Sequence, residues 1–377
     1  MKNYGEKTLF GKSGSMEILN VYKGKKVLIT GHTGFKGSWL TVWLNMLGAN
    51  VIGYALDPLC DNGVFVRSKV GEKIIDYRED LRNFNKLLEV FTKEEPEIIF
   101  HLGAQALVLG GYHSPLETFE VNTLGTANVL EAVRLTKSVK IAIFITTDKV
   151  YENKEWIWPY REDERLGGYD PYSASKGASE LIISSYRNSF FNLKDYSKHG
   201  KSIASVRAGN VIGGGDWSEN RIVPDCIRSF HNNETIEVRS PKSIRPWQFV
   251  LEPLGGYLLL GAKMIENPID FCEAWNFGPD LQNVINVEEL VNKIILAYGK
   301  GSWKDLSDLN APHEAKLLTL DINKANYKLG WKPILGIDET IKFTAEWYKN
   351  YQSNDVLTLT QNQINQYLIL WKLKNGN

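Results

Sequence analysis

The sequence predicts an α/β protein with a doubly wound parallel sheet and a smaller α/β lobe. Two observations predict this fold class. Between Lys25 and Arg207, short apolar runs alternate with longer segments of helical periodicity, which is the pattern of successive strand–helix–strand units. Several runs, such as those at 98–100 and 141–145, are continuously apolar, as expected for strands that a parallel sheet buries on both faces.

The first half of the chain carries the regular part of this pattern. Strands are predicted at 26–30, 50–56, 97–103, 140–147 and 202–208, and helices are predicted to begin near Gly37, Asn83, Pro115 and Pro171. We therefore expect residues 21–208 to form the sheet domain. Residues 1–20 are polar and contain glycine and serine, so they are expected to form a flexible extension.

The pattern changes after Arg207. A glycine-rich loop precedes shorter, more aromatic segments, which predicts the smaller lobe over 209–250 and 281–350, with residues from about 250 to 280 rejoining the sheet domain. Helical periodicity returns at 287–298 and 338–348. The tail, 351–377, has the apolar spacing of an amphipathic segment. We expect it to pack on its own subunit, and a contact with a partner is the alternative.

Charge and cysteine content exclude several classes of function. Lys plus Arg and Asp plus Glu both total 44, so there is no net field to attract nucleic acid or an anionic membrane. The cysteines, Cys60, Cys226 and Cys272, form no CxxC pair or zinc-type spacing, which favours a reduced, cytoplasmic protein without metal. The sequence has no apolar run long enough for a signal peptide or a membrane span.

A glycine turn joins the first predicted strand to the first helix. Gly31 permits the tight turn, Gly34 lets backbone approach a pyrophosphate, and Gly37 allows the helix to pack closely on the strand. The helix N-terminus then offers N–H groups to phosphates. The context predicts a Rossmann-type dinucleotide site, although a purely structural turn remains the alternative. The turn also includes Thr33, Phe35 and Lys36.

Acidic residues after later strands favour NAD as the dinucleotide. Asp57 follows the second strand, where a carboxylate accepts hydrogen bonds from ribose hydroxyls and repels a 2′-phosphate; initiating a turn before Pro58 is its alternative role. Asp80 stands where an adenine contact is expected, and a solvated charge is the alternative there. The predicted cofactor site is completed by Leu81, Leu102 and Ala104.

The segment around Tyr172 carries the strongest catalytic signal. Asp170 can cap a helix whose first residue is Pro171, and Tyr172 and Lys176 then lie one turn apart on one face. An ammonium beside a phenol stabilises the phenolate, so the pair can remove a proton from a sugar hydroxyl. A lone YxxxK occurs by chance in many helices, but the upstream glycine turn argues against chance here.

The fourth predicted strand ends in a second polar group. Thr147 lies at the carboxyl edge, where open α/β sheets bind ligands, and can hydrogen-bond the reacting hydroxyl. Asp148 and Lys149 follow directly. Simple oxidoreductases and epimerases of this architecture need the hydroxyl, the tyrosine and the lysine, so an additional acid/base pair indicates an elimination. A solvent-facing ion pair is the alternative.

These motifs together resemble the extended short-chain dehydrogenase/reductase superfamily and, within it, the CDP-glucose 4,6-dehydratase family. The resemblance covers roughly residues 22–348. It is carried by GHTGFKGSW at 31–39, TDKVYEN at 147–153, GGYDPYSASK at 167–176, VRAGNVIGGGDW at 206–217, RPWQ at 245–248 and WNFGP at 275–279. Related dehydratases that act on dTDP-glucose usually carry Glu where Lys149 stands.

The resemblance implies an NAD-dependent dehydration of a nucleotide-diphospho-hexose. In it Tyr172 takes the C4 hydroxyl proton, Asp148 acts as the acid and Lys149 as the base, with the reverse assignment of the last two left open. It implies a homodimer through helices at 115–136 and 171–187 and a role in deoxysugar or surface-polysaccharide (O-antigen) biosynthesis. The residues implied to meet the substrate are Gln105, Asn210, Arg221 and Arg245.

Two positions depart from the family pattern. Leu109 stands where Arg is usual and Phe249 where His is usual, so two polar groups are expected to be missing near the pocket. The nucleotide and the sugar therefore stay open. A nucleotide-sugar 4-epimerase, a dehydratase acting on another nucleotide sugar and a non-catalytic NAD-binding interaction protein remain as alternatives.

Overall fold

The computed structural model describes residues 16–307 and 317–375. Most of the expected N-terminal extension, residues 1–15, lies outside them. Residues 16–20, expected to be flexible, instead belong to a 3-10 helix, Met16–Tyr22. Leu19 and Tyr22 are buried in the core, and the Tyr22 hydroxyl donates to the Leu258 carbonyl at 2.7 Å, which explains why this segment is ordered.

The described strands and helices follow in chain order. The strands are β1 Lys26–Thr30, β2 Asn50–Ala55, β3 Ile75–Arg78, β4 Ile98–His101, β5 Ile141–Ile145, β6 Ser202–Ala208, β7 Val211–Ile212, β8 Ile236–Val238, β9 Ile244–Arg245, β10 Gln248–Phe249, β11 Ala274–Phe277, β12 Ile285–Asn286 and β13 Trp303–Asp305. The α-helices are α1 Phe35–Met46, α2 Val64–Ser68, α3 Phe84–Glu94, α4 Val108–His113, α5 Pro115–Phe119, α6 Gly125–Leu135, α7 Pro171–Ser189, α8 Tyr196–His199, α9 Ile222–Asn232, α10 Leu251–Glu266, α11 Val287–Tyr298, α12 Ile337–Asn350 and α13 Val356–Asn375.

The central sheet has seven strands in the order β11-β6-β5-β4-β1-β2-β3, and each neighbouring pair is parallel. The chain adds β2 and β3 on one side of β1 and then β4, β5 and β6 on the other. The strand order therefore reverses between β1 and β4, and the crevice outside the carboxyl ends of these strands is where such sheets bind ligands. This confirms the predicted Rossmann-type doubly wound fold.

Helices cover both faces of the sheet, because successive strand residues point to opposite sides. Val27, Ile143 and Val206 face a core shared with α1, α10, α12 and α13. Leu28 and Phe144 face a second core shared with α3, α6 and α7. The continuously apolar strands of the sequence are thus buried on both faces, as predicted.

Elements after Arg207 divide between the sheet and its periphery. Helix α10 packs on β5 and β6, and β11 pairs with β6 in the central sheet. Short strands form separate two-stranded pairs, β7 with β10, β8 with β13 and β9 with β12. Helix α13 packs on its own subunit: Ile364, Tyr367 and Trp371 are buried, and the Tyr367 ring contacts Trp43 of α1 edge-on at 5.9 Å.

Candidate active site

The glycine turn after β1 has the geometry that the sequence predicts. Gly31 adopts φ +73°, and a Cβ there would lie 2.7 Å from the Gly103 backbone. A Cβ on Gly37 would lie 2.0 Å from the Gly31 carbonyl oxygen, so α1 can approach β1 this closely because residue 37 is glycine. Gly34 is the N-cap of α1 and no side chain caps that end. The open helix N-terminus fits the pyrophosphate of a dinucleotide.

Residues predicted to hold the adenosine end lie along the same sheet edge. Asp57 is exposed just beyond β2, and the Thr33 hydroxyl donates to the Leu56 carbonyl at 3.0 Å, which ties the turn to this strand end. Hydrogen bonds from Arg82 hold the pKa of Asp80 below its usual value, so this carboxylate is charged. Leu81 is buried, while Leu102 and Ala104 are half-buried after β4. These positions fit a bound NAD.

Tyr172 and Lys176 lie on α7, which begins at Pro171 as predicted. The Asp170 carboxylate caps the helix by accepting from the Ser173 N–H at 3.0 Å. Tyr172 is 8% exposed and Lys176 5% exposed. Burial raises the pKa of Tyr172 to about 12, opposed by the Thr147 hydroxyl and the Arg221 guanidinium.

The Lys176 ammonium is directed at the end of β5. Its Nζ donates to the Ile145 carbonyl at 3.4 Å, and burial lowers its pKa to about 8, opposed by Glu180. Arg221 and Thr147 also favour the Tyr172 phenolate, and the stabilisation of that phenolate by Lys176 stays a prediction.

Asp148 and Lys149 occupy different surroundings. Asp148 is 3% exposed, and its carboxylate accepts from the Thr147 hydroxyl at 2.9 Å. A Cβ on Gly209 would lie 2.0 Å from the Asp148 Oδ2, so residue 209 must be glycine to admit this carboxylate. Lys149 is half-buried and lines a cavity. This arrangement does not fit the alternative of a solvent-facing ion pair.

A cavity of about 340 Å³ opens beside this group. Its walls come from the segment after β5, from the chain leading into α7 and from α4, and include Lys149, Glu152, Arg165, Tyr169 and Asp170. Lys149 lines the cavity together with Asp170 and Ser173 at the start of α7, so a polar ligand in it would lie next to Lys149.

Arg221 and Asn210, two of the residues predicted to bind the substrate, lie at the carboxyl end of the sheet. Arg221 pairs with Asp216 at 3.2 Å, donates to the Ala106 carbonyl at 3.4 Å and acts on the Tyr172 phenol. Asn210, with φ +36°, follows Gly209 and its carbonyl accepts from the Gln248 N–H at 3.1 Å. Both lie at the catalytic end of the sheet.

Gln105 and Arg245, the other two predicted substrate contacts, form hydrogen bonds with nearby backbone groups. The Gln105 amide closes its own turn, accepting from the Leu107 N–H at 2.6 Å and donating to the Leu107 carbonyl at 2.9 Å. The amide keeps a second donor and a second acceptor position, so its substrate contact stays a prediction. Arg245 lies on the short strand β9 and donates to the Ile244 carbonyl, and its substrate contact stays a prediction.

Leu109 and Phe249, which depart from the family pattern, differ in burial. Leu109 is half-buried on α4. The Phe249 ring is fully buried in the hydrophobic core, 6.0 Å from the Trp39 ring and 5.3 Å from the Phe343 ring. The expectation that Phe249 removes a polar group from the pocket was therefore wrong, because β10 turns this side chain toward α1 and α12.

Two further groups belong to the site. Lys36, predicted as a cofactor ligand, is close enough to the catalytic residues for burial and the cations Lys176 and Arg221 to lower its pKa to about 7. Glu180 and Arg207 form a buried ion pair behind Lys176 at 2.9 Å. The spacing of four residues between Lys176 and Glu180 is a sequence signal that could have indicated Glu180, but not its pairing with Arg207.

Comparison with known proteins places this geometry in a family. Residues 27–268 match the model of the NAD dependent epimerase/dehydratase family. The chain belongs to this family. Its members are NAD dependent. The CDP-glucose 4,6-dehydratase of Salmonella typhimurium is 46% identical to it over 350 residues, which cover 93% of this chain and 98% of that protein.

Solved structures show the same fold. The UDP-glucose 4-epimerase of Thermus thermophilus, in complex with NAD, is 25% identical with a TM-score of 0.73, covering 86% of this chain and 99% of that one. The dTDP-glucose 4,6-dehydratase of Bacillus anthracis, also with NAD, is 18% identical with a TM-score of 0.71, covering 89% and 100%. Epimerases and dehydratases of the family therefore share this fold, and the catalytic side chains must distinguish them.

Proposed function

We propose that this protein is an NAD-dependent hydro-lyase that converts CDP-glucose to CDP-4-keto-6-deoxyglucose. The observation that carries the proposal is the placement of Asp148 and Lys149 beside Thr147, Tyr172 and Lys176 at one edge of the sheet. The identity of 46% to a CDP-glucose 4,6-dehydratase over nearly the whole chain supports the choice of substrate.

The first half of the reaction needs a base at the sugar C4 hydroxyl. Tyr172 takes this proton as a phenolate, while Thr147 hydrogen-bonds the same hydroxyl and orients it. The Lys176 ammonium and the Arg221 guanidinium stabilise the phenolate, and Arg221 already lowers the pKa of Tyr172 against the effect of burial. NAD, when bound, would supply reversible hydride transfer, so that the hydride removed from C4 can be returned to C6 while Lys149 returns the proton to C5.

The second half is an elimination of water across C5 and C6. The C4 ketone acidifies the C5 hydrogen, which Lys149 removes from the cavity side, and Asp148 delivers a proton to the departing C6 hydroxyl. The burial of Asp148 under Gly209 supports its role as the acid, because few waters compete for its proton. Lys149 acting as the acid and Asp148 as the base is the reverse assignment.

Product mass tests the proposal. The purified protein would be incubated with CDP-, dTDP-, GDP- and UDP-glucose, and we expect a CDP-sugar product lighter than its substrate by one water. A product of unchanged mass would identify a 4-epimerase, as the Thermus relative is named. NAD binding without turnover on any of these sugars would favour a non-catalytic interaction protein.

Replacing Lys149 separates redox chemistry from elimination. Lys149→Ala should still oxidise C4 to a limited extent, seen as NADH absorbance, but should not release the deoxy product. The control is Lys198→Ala, which removes an exposed lysine on the short helix α8. Unchanged turnover in Lys149→Ala would refute its acid/base role.

We also propose that the protein is a cytoplasmic homodimer whose peripheral lobe, residues 209–250 and 281–350, holds the nucleotide sugar. The helices at 115–136 and 171–187 carry exposed apolar side chains, among them Leu116 at 72% and Leu181 at 61%, which a dimer would cover. Leu181→Glu should yield monomers in sedimentation analysis, whereas Leu296→Glu, at an exposed leucine of α11, should not. The product would feed deoxysugar synthesis for surface polysaccharide such as O-antigen.

No helix among residues 16–307 and 317–375 is long and apolar enough to cross a membrane. The zero formal charge supports the absence of nucleic acid among the partners.

A further inference from the structure

The ion pair between Glu180 and Arg207 lies directly behind the catalytic helix face. Glu180 is 2% exposed and Arg207 3% exposed, and the Glu180 carboxylate accepts from the Arg207 guanidinium at 2.9 Å. Glu180 follows Lys176 by one turn of α7, and helical side chains lean toward the N-terminus, so its carboxylate points back toward Lys176. A charge pair is thus buried beside a catalytic amine.

The Glu180 carboxylate also forms hydrogen bonds at the end of β5 and on β6. Glu180 Oε1 accepts from the Thr146 hydroxyl at 2.6 Å, and Oε2 accepts from the Ser205 hydroxyl at 2.9 Å. Thr146 immediately precedes Thr147 and Asp148. One side chain therefore joins the helix that carries Tyr172 and Lys176 to the strand end that carries the remaining catalytic residues.

Glu180 is charged despite its burial. Burial alone would raise the pKa of this carboxyl, but the Arg207 ion pair and the two hydroxyl donors outweigh it and hold the pKa below its usual value. The charge matters for Lys176, because burial lowers the pKa of that amine to about 8 and Glu180 opposes the effect.

The other charged groups around Lys176 act less favourably on it. Lys36 on α1 repels it. His101 on β4 is neutral, since burial lowers its pKa to about 3. Asp148, on the turn after β5, carries a proton during elimination in the proposed mechanism, and Asp170 at the start of α7 caps that helix. Glu180 is the neighbouring group that stays anionic throughout.

We propose that Glu180 is a positioning residue whose carboxylate holds Lys176 as an ammonium and anchors the end of β5 to α7. The inference rests on the proposed catalytic use of Lys176. A buried ion pair that served folding alone could be replaced by apolar groups with little loss, whereas this one must keep its negative charge beside the amine.

The titration of Lys176 tests the proposal without relying on turnover. Lysine ¹³C-labelled at Cε would be followed by NMR across pH, with the Lys176 signal assigned by its loss in Lys176→Met. We expect a midpoint near 8 in the unmodified protein. In Glu180→Gln the midpoint should fall by about one pH unit, the effect of removing a nearby opposite charge.

Arg207→Lys is the matched control, since it alters the same ion pair but keeps a cation beside Glu180, so that Glu180 stays charged. It should leave the Lys176 midpoint in place. General loosening of the core would move the midpoint in both variants in the same direction. An unchanged midpoint in Glu180→Gln, or an equal fall in Arg207→Lys, would overturn the proposal.

The double variant Glu180→Gln/Arg207→Gln covers the case in which a single variant does not fold. It leaves no unpaired charge in the core, and its Lys176 midpoint should still lie below that of the unmodified protein, since Glu180 is the group that raises it. The descending limb of kcat/KM against pH should follow the NMR midpoint. Full activity of Lys176→Met would refute the proposed catalytic use of Lys176. The NMR midpoints would still test the effect of Glu180 on Lys176 independently.

Discussion

Gly209→Ala is the sharpest test of Asp148 as a catalytic acid. The added methyl group would lie 2.0 Å from Asp148 Oδ2, whereas ordinary contact begins at 3.4 Å, so the carboxylate must move by about 1.4 Å or the strand end must shift. Misplacing a catalytic group by about 1 Å costs on the order of 10²-fold in rate. We therefore expect kcat for the dehydration to fall about 10²-fold.

The assay measures the release of deoxysugar nucleotide by mass spectrometry and NAD affinity by calorimetry. NAD affinity should be unchanged, because Gly209 lies beyond β6 and not in the glycine turn after β1. The matched control is Gly278→Ala beyond the neighbouring strand β11, where a Cβ would meet its nearest atom at an ordinary 3.5 Å. Full turnover in Gly209→Ala would refute the role of Asp148, and loss of NAD binding would show that the change acts on the whole domain.

Further expected outcomes follow from the same geometry. Gly37→Ala should abolish NAD binding in calorimetry, because its Cβ would lie 2.0 Å from the Gly31 carbonyl oxygen; retained affinity would contradict the turn assignment. Burial raises the pKa of Tyr172 to about 12, so kcat/KM should rise with pH as the phenolate forms. The rise should end where Lys176 loses its proton, near pH 8. Tyr172→Phe should remove this rise along with most activity. Burial raises the pKa of Glu252 to about 7, so its contribution to stability is present at low pH and lost as pH rises through about 7. In Glu252→Gln the free energy of unfolding, measured in urea, should depend less on pH between about pH 5 and pH 8. An unchanged pH dependence would refute the role of Glu252.

The central strands of the sheet could be predicted because each short stretch of sequence carries its own apolar pattern. Strands buried on both faces form continuous apolar runs, and the predictions at 26–30 and 202–208 match β1 and β6 to the residue. Strand β3, Ile75–Arg78, was missed because it lies at the sheet edge, where its half-exposed residues include a charge at every second position. The helix expected from Pro115 is interrupted by a π turn at Glu120–Leu124, for which the sequence carries no comparable signal.

The candidate catalytic residues could be selected from the sequence because the topology brings them to one edge of the sheet. The carboxyl ends of parallel strands meet at one edge, so Thr147, Asp148 and the turn at Gly31 were expected to lie near the start of the helix that carries Tyr172. Contacts that depend on long-range packing could not be predicted in this way. Phe249 is a core residue because α1 and α12 cover it, and the Gln105 amide hydrogen-bonds Leu107 within its own turn.

The Glu180–Arg207 pair shows the same limit. The two residues are 27 positions apart in the chain, on α7 and β6, and nothing in either segment alone indicates that they meet. Their role became visible once the fold placed them behind Lys176.

The central claim is that this protein dehydrates a nucleotide sugar through NAD chemistry. Mass spectrometry of the product formed from CDP-glucose tests it most directly. We predict a CDP-sugar lighter than the substrate by one water, formed without net consumption of NAD. A product of the same mass as CDP-glucose, or none at all with NAD bound, would contradict it.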